Sequence, residues 1–308
     1  MPSGKHGVAD TPPTRETLDF YRVAEGMTLP GRHRPLIDEL PDGVAALSRV
    51  AQGLFVHEYG AEAYGFEPPE PRKAESHIRP LAALLDRVLE LDDQPLSIAR
   101  PVEKRVIGVC HHPMLMLIGF LRAKGVPARG RCGQGAYFNP PFYEDHWLCE
   151  YWHADERRWV LADPQFDEVW RKKLRIAHDV LDVPRDQFLV AADAWTRCRD
   201  GRADPAKFGI FQGNLRGRWF LAGSLVRDLA ALNKVEMLPW DVWGAVPEPN
   251  RQLGDDELAF FDRLAATLSS LDASFEELRA LYRDDERLRV PGTVFNALRQ
   301  RMEPVGAG

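Results

Sequence analysis

The sequence predicts an α+β fold. Three observations carry that prediction. Apolar residues recur at helical spacing on both sides of the chain's middle, a helix apolar on every face lies near residue 115, and three strand-like segments follow it in quick succession. Taken in order, Leu47, Val50, Ala51, Leu54 and Phe55 recur at intervals of three and four, which predicts helix from Leu36 to about Gly65. The run Glu67-Pro68-Pro69-Glu70-Pro71 is a loop. A second amphipathic helix is expected from about Ala74 to Leu91, with Ile78, Leu81, Leu84, Leu85, Val88 and Leu91 on one side. Met114 to Leu121 is almost wholly apolar, as in a buried helix. Gly125 supplies its C-terminal stop and Pro127 follows. Ala128 to Phe138, His146 to His153 and Arg158 to Asp163 read as strands from their aromatic and β-branched content.

Beyond about residue 165 the pattern returns to helices at Gln187 to Arg199, Arg218 to Lys234, Asp255 to Ser270 and Phe275 to Tyr282. Trp219, Trp240 and Trp243 are expected to pack this part. No internal repeat interrupts the series. The implied organisation is a mobile tail over 1–15, a core with N-terminal helices over 16–180, and a mainly helical region over 181–308 packed on that core.

Charge and composition exclude several function classes. The net charge of −6 leaves no excess of Lys or Arg to neutralise phosphates, which argues against nucleic acid as a partner. No apolar run reaches the roughly 18 residues of a membrane span, and the N-terminus has no secretory h-region, so a cytoplasmic location is the expectation. The four cysteines, Cys110, Cys132, Cys149 and Cys198, form no CxxC pair and are expected as free thiols.

One cysteine stands where chemistry is available to it. Cys110 precedes His111, His112 and Pro113, and Pro113 fits the first turn of the buried helix because its missing N–H has no intrahelical acceptor there. A thiol at a helix N-terminus meets unpaired N–H groups and the positive end of the dipole. Both favour the nucleophilic thiolate, and the same N–H groups suit a developing oxyanion. The plainer reading is a small buried hydrophobe, the commoner fate of a free cysteine.

A base and its orienter come from the next two strands. Ala154-Asp155-Glu156-Arg157 is a good tight turn between His146–His153 and Arg158–Asp163. A hairpin centred on Asp155 and Glu156 pairs positions whose numbers sum to 311, so Asp163 falls opposite Leu148. His146 and Asp163 then become diagonal neighbours on one face, roughly 7–8 Å apart at the backbone. A register slip of one residue would put them on opposite faces. Alone, a His at a strand start is often a half-buried polar residue, and an Asp before Pro is often a turn former. Together behind a helix-start cysteine they form the activated-nucleophile arrangement of thiol, base and carboxylate.

The remaining candidates carry less. His111 and His112, flanking the cysteine, are candidate substrate contacts, as are Gln134 and Trp147. Arg129, Arg131, Tyr137 and Tyr143 fit a cleft or a surface equally well. Cys132, Cys149 and Cys198 read as packing thiols, and His153, next to the turn, as exposed. A zinc site from Cys110, His111, His112 and His146 is disfavoured, because adjacent residues rarely point at one ion and no second ligand pair has zinc spacing.

These segments resemble the transglutaminase-like superfamily. The resemblance rests on Gly108-Val109-Cys110 opening a buried helix and Gly125-Val126-Pro127-Ala128-Arg129 at its exit. It rests equally on Asp145-His146-Trp147 at a strand start and on Trp159-Val160-Leu161-Ala162-Asp163-Pro164 in the next strand. It covers roughly residues 74 to 165 and is nearest a bacterial subgroup with a helical part like Arg216 to Gly244. It implies a papain-like core with Cys110, His146 and Asp163 as a triad and no cofactor. It also implies acyl chemistry on amides of a peptide, a protein or a small amide or amine: deamidation, hydrolysis or transfer. His111 and His112 stand where relatives often have Arg-Asp, which leaves substrate preference open. The alternative from another class is a catalytically inactive member that binds a peptide or partner.

Overall fold

A computed structural model describes residues 12–272 and 274–306. Most of the segment expected as a tail lies outside the described residues. By Thr14 the chain is already structured, since its hydroxyl accepts the Thr17 N–H at 3.1 Å and caps α1 (Arg15–Arg22). The helix expected from Leu36 to Gly65 is broken into α2 (Arg34–Asp38), α3 (Val44–Leu54) and strand β1 (Phe55–His57). Gly43, at φ 89°, holds a conformation open to glycine and starts α3 afresh. The helix expected from Ala74 begins only at Leu81, as α4 (Leu81–Leu91), because Pro80 steers Arg79 away from helical backbone. Residues Glu70–His77 form a 3-10 helix instead.

Strand β2 (Val106–Gly108) pairs in parallel with β1, placing His57 opposite Gly108. It leads into α5 (His111–Ala123), in which every residue is buried. Each fully buried Leu, Ile, Phe or Met there contributes about 1.5–3 kcal/mol, so this helix is the axis of the core. Gly125, at φ 77°, ends it as expected.

Strands β3 (Ala128–Asn139), β4 (Phe142–His153) and β5 (Arg158–Ala162) follow as an antiparallel series. The β4–β5 register is the one the turn predicts: Cys149 faces Ala162, Glu150 faces Leu161, and His153 faces Arg158. Next come α6 (Glu168–Leu174), β6 (Phe188–Val190) and α7 (Ala191–Arg199). The helix expected from Gln187 starts late because Phe188, Leu189 and Val190 pair with Gly135, Gln134 and Gly133. After β7 (Phe208–Ile210) and β8 (Leu215–Arg216) the chain forms α8 (Arg218–Leu232) and β9 (Asp241–Val242). It ends with α9 (Asp255–Ser269), α10 (Phe275–Asp284), β10 (Thr293–Asn296) and β11 (Arg301–Pro304).

The main sheet runs β6-β3-β4-β7-β8, with β5 also paired to β4, and a smaller sheet runs β11-β10-β9. A boundary near residue 180 therefore separates nothing in the sheet, because β6, β7 and β8 complete it from the C-terminal side. That side is less purely helical than its periodicity suggests.

Helices α5 and α8 both pack on β3. Cys132, Cys149 and Cys198 are free and buried, as the sequence suggests. Trp243 is buried, and Trp219 and Trp240 are half-buried. An ionic network ties α8 to the sheet from within. Asp228 accepts from Arg131 Nε at 3.1 Å and Nη2 at 2.9 Å, and from the Cys132 N–H at 2.9 Å. Glu150 takes Arg129 Nε at 2.7 Å and Arg131 Nη1 at 3.1 Å. Among the described residues, no helix is long and apolar enough to cross a membrane.

Candidate active site

Cys110 is the N-cap residue of α5, at the end of β2, and is 8% exposed. Gly108 is needed two residues earlier because a Cβ there would lie 2.7 Å from the His112 ring. The backbone N–H groups of His111 and Trp147 face the sulfur, which sets it beside the start of the segment that carries His146.

His146 lies on β4 opposite Gly133 and is 1% exposed. A side chain at 133 would strike the Phe188 ring and the Leu189 carbonyl, so glycine there lets Phe188 close beside the imidazole. Phe166 stacks on the same ring, with centroids 5.8 Å apart. His146 Nε2 lies 2.8 Å from Asp163 Oδ2. A carboxylate only accepts, so the neutral ring carries its proton on Nε2 and keeps a lone pair on Nδ1.

Asp163 is held from every side. Its Oδ2 also accepts the Tyr137 hydroxyl at 2.8 Å, its Oδ1 accepts the Gln165 N–H at 3.1 Å, and its own N–H donates to the Val180 carbonyl at 2.7 Å. Tyr137 reaches it from a register shift in β3 between Gly135 and Asn139, an irregularity that re-aims the local side chains. Sequence reading gave Tyr137 no such role, because nothing local announces the shift.

The electrostatics differ from the expectation. Burial pushes the Cys110 thiol well above its ordinary range, and the carboxylates of Asp145 and Asp163 push it further. The N–H groups of Trp147 and His111 oppose this without reversing it. Desolvation thus outweighs the helix N-terminus. The resting group is a thiol, not the thiolate the helix start suggests. Asp145, next to His146 in sequence, is itself pushed up to about 7, chiefly by burial, with Arg227 and His146 pulling it down.

The candidate substrate contacts need correcting. His111, His112, Gln134 and Trp147 are all fully buried. His111 Nε2 meets the Glu236 carbonyl at 3.0 Å, and His112 Nε2 meets that of Ile78 at 3.1 Å. Gln134 Nε2 donates to Ser224 Oγ at 3.4 Å, and the Trp147 ring packs edge-on to His111. These side chains brace backbone and core and offer no edge to an incoming molecule. Arg129 and Arg131 belong to the ionic network, with Arg129 also lying over the Trp159 ring, and Tyr143 stacks on Phe208. Among the described residues, no three His, Cys, Asp or Glu side chains are grouped to hold a metal ion.

A pH dependence follows from the two enclosed histidines. Burial lowers His111 to about 3 and His112 to about 4. Their folded values lie below the ordinary 6.5, so the stability they confer is present above that pH and is lost as pH falls through the folded values. Each buried neutral imidazole gives a slope of up to ~1.4 kcal/mol per pH unit in that window. Urea unfolding at pH 7.5, 5.5 and 4.5 should show a steep loss of stability, and His111→Gln should flatten the slope by about one proton. Unchanged midpoints from pH 7.5 to 4.5 would contradict the assignment.

No family model and no curated protein matches this sequence. Among solved structures, a candidate cysteine protease from Cytophaga hutchinsonii is similar over 55% of this chain and 44% of its own, with 14% identity and a TM-score of 0.32. The chain thus spans under half the length of that protein. A likeness of this degree does not place the chain in a family.

Beside the site is a recess with room for about 10 Å³, lined by His57, Gln52, Tyr64, Gln165, Asp167 and Trp170 among others. His57 and Gln165 were not singled out from sequence. His57 had no motif around it, and the Gln165 contact to Asp163 depends on how the chain turns after Pro164.

Proposed function

We propose that this chain is a cysteine-dependent amide hydrolase or acyltransferase of transglutaminase-like type, with a papain-like core and Cys110, His146 and Asp163 as its triad. The observation that carries the reading is the 2.8 Å bond from His146 Nε2 to the anchored Asp163, which fixes the imidazole tautomer while Cys110 sits at the start of the buried helix. That is the division of labour of base and orienter in acyl transfer.

The mechanism adapts to the thiol's raised pKa. The sulfur attacks a carbonyl while His146 Nδ1 takes its proton, so deprotonation accompanies attack rather than preceding it. The C–N bond then breaks, the imidazolium returns the proton to the leaving amine, and a thioester remains on Cys110. Water or an amine then releases the acyl group. Asp163 stabilises the imidazolium throughout, since its carboxylate faces Nε2.

Acetylation from p-nitrophenyl acetate, followed by peptide mass spectrometry, tests the reading. One acetyl group should reside on Cys110, and Cys110→Ala should lose both the label and the burst of nitrophenol. Acetyl found only on other residues would refute the catalytic reading and favour the inactive binding module.

A further inference from the structure

The geometry points to His57 as the side-chain donor to the oxyanion formed when Cys110 attacks a carbonyl. This inference rests on the catalytic reading above and names a further residue for it. Three observations converge. The first is position: β1 places His57 opposite Gly108, two residues before Cys110, in the parallel β1–β2 pair. Gln165 lines the same recess, and its backbone N–H bonds Asp163. The recess is thus bordered by His57, which pairs with the strand leading to Cys110, and by Gln165, which bonds the orienting carboxylate.

The second is the tautomer. His57 Nδ1 accepts the Tyr59 N–H at 3.2 Å. A neutral imidazole that accepts at Nδ1 must carry its proton on Nε2, which makes Nε2 a hydrogen-bond donor. Among the described residues, no hydrogen bond uses Nε2. Burial first, and then the neighbouring His146 and His112, lower this ring to about 3, so it stays a neutral donor across the working range and does not compete with His146 for the thiol proton.

The third is the recess itself. Its room of about 10 Å³ fits roughly one water-sized group, which suits a carbonyl oxygen and not a side chain. A neutral N–H donor on the lining of so small a recess matches the C=O of an amide.

In the step so assigned, the S–C bond forms and the carbonyl π pair moves onto oxygen. The thiol proton passes to His146 Nδ1, and His57 Nε2–H bonds the new oxyanion. When the C–N bond breaks, the pair returns to re-form the carbonyl and the proton leaves on the amine.

Acylation and alkylation of the same sulfur separate this role from the rest. Acylation by p-nitrophenyl acetate passes through an oxyanion, whereas displacement of iodide from iodoacetamide does not. His57→Phe should slow acetylation of Cys110 by roughly 10²-fold while alkylation changes by less than about 2-fold, as for loss of one oxyanion donor. His57→Gln, which keeps an N–H near the Nε2 position, should recover part of the loss and serves if the Phe variant does not fold. Acetylation of His57→Phe at the wild-type rate, or an equal fall in both reactions, would overturn the role of His57 and leave the triad standing. A wild-type Cys110 that is alkylated but never acetylated would overturn the catalytic reading itself.

Discussion

His146→Ala should slow acetylation of Cys110 from p-nitrophenyl acetate by roughly 10³-fold, within the range for loss of a general base. The size follows from the thiol's raised pKa. A preformed thiolate would survive loss of the base with modest cost, but a thiol raised by burial and by the charges of Asp145 and Asp163 must lose its proton during attack, the step assigned to His146. Asp163→Asn provides a subtler form of the same test. The Gln165 N–H donates to Asp163 Oδ1 at 3.1 Å, while Tyr137 and His146 both meet Oδ2, so in the variant the side-chain amide would keep its oxygen on Gln165 and turn its NH2 to Tyr137 and His146. The imidazole would then be forced to accept at Nε2 and carry its proton on Nδ1, the wrong tautomer for a base. A loss of about 10²–10⁴-fold in acetylation is expected with the fold preserved. Rates within a factor of about 10 of wild type for both variants would mean that His146 does not deprotonate Cys110.

Asp228→Ala should lower the unfolding free energy by about 3–5 kcal/mol, read as a shift of the urea midpoint. Asp228 is wholly buried and accepts from two nitrogens of Arg131 and from the Cys132 N–H. Removing it strands a guanidinium between α8 and β3 with only its Glu150 contact. The penalty comes from the orphaned charge, not from the strength of the pair. The double variant Arg131→Met with Asp228→Leu should therefore recover most of the loss. A cost below about 1 kcal/mol for Asp228→Ala would show that water or a rearranged side chain satisfies Arg131.

How much of this was legible in the sequence depends on how local each cause is. Helix α5 was legible because an all-apolar run and a glycine stop lie within its own residues. The β4–β5 register was legible because the turn at Ala154–Arg157 sets it, and that register carried the His146–Asp163 contact with it. Strands β6 and β7 were not, since three residues such as Phe188-Leu189-Val190 hold no periodicity and become strand only by pairing with β3. Pro80 was a local signal that the helical pattern from Ala74 overran. The state of Cys110 was misjudged for the reverse reason. The helix start that favours thiolate is visible in four residues, whereas the burial that opposes it is made by helices and strands from across the chain. Likewise, Arg131 and Gln134 fitted a cleft or a surface equally well because their acidic and hydroxyl partners, Asp228 and Ser224, lie about a hundred positions away.

The interleaving of β6, β7 and α8 with the earlier strands has a consequence for biosynthesis. While the first two hundred or so residues are leaving the ribosome, β3 has an open edge where β6 belongs, and the face that α8 covers is wet. Such an edge is a template for pairing with other nascent chains, and closing contacts of long sequence separation is slow. The thiols of Cys110, Cys132 and Cys149 are all synthesised before α8, which packs on β3. A chain released early near residue 180 would keep that edge open and should be cleared by proteolysis rather than persist as a smaller folded protein.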